Sequence, residues 1–146
     1  MERRTALRPI GRVTQRWAAW RESQRRRVLA RARYACEACK RYDRYVRPFW
    51  HHLVGRDDEP WSSSEALTVA LCNECHIPGW HDGHMPEEVR SGLLWDGAKR
   101  LLVIVRGPGA SLNDFTEWDP EDVINLLLRE AHARGLEPPG YHEETR

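Results

Sequence analysis

Two Cys-x-x-Cys pairs, Cys36/Cys39 in "CEAC" and Cys72/Cys75 in "CNEC", are separated by 32 residues. His51 and His52 lie between them, and His76 directly follows the last cysteine. Each pair offers two thiolates from one tight turn, and two such turns complete a tetrahedral Zn2+ site. Four thiolates leave no position open to water, so the expected ion is structural. The alternatives are four unrelated buried thiols, or a histidine in place of one cysteine. Neither pair sits in the βαβ context of a thioredoxin-like redox motif. If the cysteines hold the zinc, His51, His52 and His76 are surplus. Neutral imidazole ligates metals and also titrates near neutral pH. One ring could therefore hold a second ion while another takes a proton. On a strand, His51 and His52 point to opposite faces, so this double use requires a strand end or a bend.

The elements that must position these groups are only partly explicit. Residues 1–13, with Pro9 and Gly11, read as an irregular basic arm. Residues 14–33 lack Gly and Pro and place Trp17, Trp20, Val28 and Ala32 roughly on one face, interrupted by Gln24. That pattern predicts a basic helix with both tryptophans as core anchors. A short strand is expected at Phe49–Leu53, a polar loop with Trp61 as its plug over 54–64, and a second strand through Leu67, Val69 and Leu71. Pro78, Gly79, Gly83 and Pro86 exclude a long helix running on from His76. Beyond them a short helix is expected at 86–95 and a strand at Lys99–Val105. A helix is expected at about 120–134, with Asp119 as N-cap, Pro120 at N1 and Gly135 at C′. The tail from Leu136 reads as poorly ordered.

The 146 residues fit one domain with extensions. No apolar run approaches the roughly 20 residues that span a bilayer. Mean hydropathy is −0.72. With no secretory pattern at the N-terminus, the expected location is cytoplasmic, where thiols stay reduced and bind metals. The net charge of +1 conceals a division. Residues 1–47 carry 15 Lys and Arg against 4 acids, a net of +11, which leaves −10 for the rest. The basic third could bind a polyanion by releasing its counterions, or could pair with the acidic remainder.

The order Cys-x-x-Cys, His51-His52, Pro60-Trp61, Ala66-Leu67 and Leu71-Cys-x-x-Cys-His76 resembles the zinc-knuckle branch of the HNH (His-Asn-His) endonucleases, over about residues 30–80. The resemblance implies a ββα-metal core stapled by the four-cysteine zinc; with the basic helix before it and the C-terminal strand-plus-helix extension expected after it, the chain reads as α+β. The chain then divides into the arm 1–13, a nuclease-like domain 14–84 that includes helix 14–33, and an acidic extension 85–146 expected to pack on the same domain. The resemblance implies that His52 is the general base and that His51 and His76 hold a catalytic divalent ion, Mg2+ or another, with His81, His84 or Asp82 as a further ligand. The partner implied is DNA, in duplex form. Many members carry an orienting Asn where this chain has Leu67, and Glu65 stands nearby as a substitute. The expected activity is metal-dependent hydrolysis of phosphodiester bonds. A zinc-stapled binding module without catalysis is the alternative.

Overall fold

The computed structural model describes residues 12–42 and 49–141, with backbone alone for 12–14 and 56. Helix α1 spans Arg12–Arg31, followed by strands β1 (Phe49–His52) and β2 (Thr68–Leu71) and helices α2 (Glu87–Arg106) and α3 (Pro120–Ala133). Three 3₁₀ turns, Arg56–Asp58, Trp61–Ser63 and Glu65–Leu67, lie between the strands. A π-helical turn, Cys75–His81, leaves β2, and a 3₁₀ turn at Leu112–Phe115 joins α2 to α3. The content is mixed α and β, as expected. Residues 1–11 of the predicted arm lie outside the described residues, and Arg12 and Val13 belong to α1.

Helix α1 buries Trp20, Gln24, Val28 and Leu29. Gln24 therefore continues the stripe it was expected to interrupt, and its Oε1 accepts from Glu65 N at 2.9 Å. The helix ends two residues earlier than predicted. Tyr34 N bonds Leu29 O and Arg33 N bonds Ala30 O, with Arg33 at φ 53° and Tyr34 at φ 58°. These bonds form a Schellman cap with arginine at the position glycine favours. Arg31 then ties the helix end to the sheet: Nη1 donates to Glu65 O and Nη2 to Thr68 O, both at 2.8 Å.

The two strands form an antiparallel ladder pairing Phe49 with Leu71, Trp50 with Ala70, His51 with Val69 and His52 with Thr68. All four residues of β2 are buried. Ala70 packs against Val28 and Leu29 of α1, while Val69 and Leu71 enter the main core with α2 and α3. The pairing puts Trp50 and His52 on the α1 side and Phe49 and His51 on the other.

The expected strand at Lys99–Val105 is helical. It forms the second half of a single helix, α2, that also absorbs the predicted helix 86–95. Leu93, Leu94, Gly97, Ala98, Leu101, Leu102 and Val105 are its buried positions, a spacing that repeats every turn. The β-branched run at Val103–Val105 looked like a strand by composition, but the stripe beginning at Leu93 decides the period. Gly97 lets α2 seat closely. A Cβ there would lie 2.7 Å from Leu53 Cδ1, the residue after His52.

Helix α3 buries Val123, Ile124, Leu127, Leu128 and Ala131 as its pattern predicts, and Gly135 sits at φ 63°. Asp119 lies at the N-cap without a side-chain cap bond. The tail is more engaged than its composition suggests. Trp20 Nε1 donates to Pro139 O at 3.3 Å, and Tyr141 meets Trp20 and Trp17 edge-on at 5.2 and 5.9 Å. Of the two expected anchors, Trp20 is fully buried and Trp17 half-buried.

Candidate metal centres and the flanking histidine

Glu37 registers the first knuckle on the sheet. Its N–H donates to Ala70 O at 2.8 Å, and its Oε2 accepts from Ala70 N at 2.8 Å. Cys36 and Cys39 are thereby held beside Cys72, two residues along β2's exit. The four sulfur atoms all lie within 4.8 Å of one another, with Cys39 Sγ and Cys72 Sγ 3.8 Å apart. Two thiolates on one tetrahedral Zn2+, each at about 2.3 Å, stand about 3.8 Å apart. Burial pushes the Cys36 thiol up, but the N–H groups of Cys39, Cys72 and Ala38 outweigh it and hold the thiol below its ordinary value. Burial and the surrounding sulfurs push Cys39 and Cys75 up. A set that cannot ionise fully by itself, on tetrahedral spacing, fits a cation that supplies the missing charge. The four cysteines can hold a zinc ion.

A second cluster joins His51, His76 and His81, whose ligand nitrogens also lie within 4.8 Å of one another. His51 comes from β1; His76 and His81 come from the π-helical turn. Five residues apart do not share a face of an α-helix. In a π-helix the i→i+5 bond makes them neighbours, as in Asp82 N to Ile77 O at 2.9 Å. Pro78, which lacks an N–H, lies inside this turn. His76 Nε2 and His81 Nε2 are 3.2 Å apart, within the range of about 3.0–3.4 Å for two imidazoles on one ion at about 2.0–2.1 Å. His51 Nε2 and His76 Nδ1 are buried without a hydrogen-bond partner. Burial, then the nearby His76 and His81, depress His51 to about 3. Burial and His81 also lower His76. Both rings stay neutral at neutral pH, the form that ligates.

His52 leaves β1 on the other face, yet one cavity of about 460 Å³ is lined by His51, His52, His76 and His81 together, with Trp50 and Trp80 as walls. Arg21 lies 5.2 Å from the Trp50 ring and Arg90 4.1 Å from the Trp80 ring. His52 Nε2 is 3.2 Å from Ser63 Oγ, and that hydroxyl donates to Glu59 Oε1 at 2.6 Å. Sequence reasoning missed Ser63 and Glu59. The available signal was three serines beside the Trp61 plug, all of which are buried.

Other candidates lie elsewhere. Leu67, the position expected for Asn, is fully buried in the main core. Glu65 lines a separate cleft with Arg27, Lys99 and Arg100. His84 and Asp82 are exposed and belong to neither cluster, and His132 is exposed on α3. His142 lies outside the described residues. On α1, Arg25 and Arg26 pair with Glu22; Arg26 and Arg27 of α1, and Arg33, Lys40 and Arg41 beyond its end, are exposed. Among the described residues no helix is long and apolar enough to cross a membrane. Compared with protein-family models, curated proteins and solved structures, the chain matches none.

Proposed function

We propose that the chain is a metal-dependent endonuclease of the HNH type that hydrolyses phosphodiester bonds in DNA. One observation carries the reading: a three-histidine cluster with metal-ligand spacing and a separate histidine, His52, share one cavity. In this reading His52 takes the proton from the attacking water. His51, His76 and His81 would hold a divalent ion, which when bound supplies electrophilic stabilisation of charge on the phosphate and the leaving oxygen. The donor set is all imidazole, which suits Zn2+, Ni2+ or a similar ion better than Mg2+, whose preferred ligands are oxygens. The exposed cations of α1 and the knuckle would hold the backbone of the duplex, with the salt dependence this entails.

The test is plasmid nicking by zinc-loaded protein across a panel of Mg2+, Mn2+, Ni2+ and added Zn2+. The expected result is nicking with the transition ions, abolished in His52→Ala while the cysteine-bound zinc is retained. Equal residual activity in wild type and His52→Ala overturns the assignment. Leu67, buried where an orienting Asn is expected, favours the second reading, a binding module without catalysis. That protein binds DNA with a steep salt dependence and cleaves it with no ion.

A further inference from the structure

We infer that Ser63 and Glu59 are positioning residues that fix which nitrogen of His52 carries the proton, doing the work otherwise assigned to the Asn that this chain lacks. The inference rests on reading His52 as the base.

Ser63 is fully buried, and its single hydroxyl proton is committed to Glu59 Oε1 at 2.6 Å. An ionised carboxylate only accepts, so the direction of that bond is set. Ser63 Oγ then meets His52 Nε2, 3.2 Å away, as an acceptor. The imidazole proton therefore sits on Nε2. In a neutral ring the other nitrogen, Nδ1, holds the lone pair. The carboxylate, through the interposed hydroxyl, holds the ring in that tautomer and orientation.

The surrounding segment keeps the hydroxyl in place. Trp61 is buried, Ser64 Oγ donates to Trp61 O at 2.6 Å, and Thr68 Oγ1 donates to Ser64 O at 2.8 Å. A loop latch alone would not need a carboxylate. Glu59 Oε2 is buried with no hydrogen-bond partner, an arrangement that costs stability and that a serine-to-backbone bond would avoid. The burden makes sense if the carboxylate orients His52 through the hydroxyl.

The experiment uses the full chain, zinc-loaded and labelled with ¹⁵N-histidine, as wild type, Ser63→Ala and Glu59→Gln. Long-range ¹H–¹⁵N correlation spectra locate the His52 proton, and nicking kinetics separate kcat from KM. Wild type is expected to show an Nε2–H protected from solvent exchange. Ser63→Ala is expected to lose that protection and about 10- to 100-fold in kcat; Glu59→Gln, which can turn either its oxygen or its amide towards Ser63, is expected to weaken both, with KM retained in each. A wild-type proton on Nδ1 overturns the inference, as does a wild-type rate in both variants of a protein that nicks. If wild type nicks with no ion but shows the protected Nε2–H, and Ser63→Ala loses it, the relay to His52 stands and the nuclease reading fails.

Discussion

Replacing Glu37 by Gln tests whether the first knuckle is held by charge rather than by the metal alone. Its carboxylate accepts from Arg31 Nε at 2.9 Å, Arg31 Nη2 at 3.0 Å and Ala70 N at 2.8 Å. The two side chains are only 21% and 14% exposed, so solvent screens the pair weakly. Glutamine keeps one carbonyl oxygen for Ala70 N but sets an amide NH2 against a guanidinium. Arg100 adds to the cost. Burial first, and then neighbouring Arg31, push its guanidinium down to about 10, with Glu37 opposing the shift. Without the Glu37 charge, the repulsion between Arg31 and Arg100 is offset only by Asp96 and Glu65. Removing one partner of a buried pair costs about 3–5 kcal/mol. Arg31 keeps the carbonyls of Glu65 and Thr68, which places the expected loss at the lower end, about 3 kcal/mol. For a chain of this size that lowers Tm by about 6–12 °C. Urea and thermal unfolding of zinc-loaded protein at neutral pH, in a double-mutant cycle with Arg31→Met, measure it. A loss within about 0.5 kcal/mol, or a cycle without coupling, would refute the reasoning.

Leu67→Asn, which installs the residue that HNH endonucleases carry there, is expected to destabilise by about 3–5 kcal/mol through the lost leucine and an unpaired amide and, in the proposed nuclease reading, to leave nicking no faster; a variant of wild-type stability would refute the burial argument. His51 sits at about 3 when folded, against an ordinary value of 6.5. Below 6.5 the unfolded chain binds a proton that the folded chain refuses. Protein with the histidine cluster free of metal should therefore be most stable above 6.5 and lose stability as pH falls towards 3, by up to about 1.4 kcal/mol per pH unit. Urea midpoints at pH 7 and 5 check this, and His51→Gln should flatten the difference. Arg33→Gly should raise stability by about 0.5–1 kcal/mol by relieving the left-handed arginine at the α1 cap, and a lower Tm would show that the arginine side chain holds something in place.

The parts of the site that were legible were those defined by local spacing. Cys36/Cys39 and Cys72/Cys75 need only two tight turns, and His51-His52 needs only a short strand. His81 could not be settled because its distance from His76 depends on the width of a helical turn, which residue types alone do not specify. Ser63 and Glu59 reach His52 across a compact connection whose path no periodicity describes. In the fold, α3 carried its own cap and stripe. The second half of α2 did not, because Val103, Ile104 and Val105 suit either structure and only the phase continued from Leu93 and Leu94 decides. Gln24 was misread for a related reason: its amide is buried because it accepts from Glu65 N, a fact of tertiary contact.

The wide turn at Cys75–His81 changes what counts as a matching ligand pattern. In an α-helix the pair facing one ion is written His-x3-His; in a π-helix the same facing pair is written His-x4-His. One inserted residue can thus be absorbed as a bulge while both imidazoles keep their places. A pattern with a fixed gap would score His81 as a missing ligand, although in space its Nε2 stands 3.2 Å from that of His76. Removing one residue between the two, with the turn relaxing to an α-helix, should leave the pair intact.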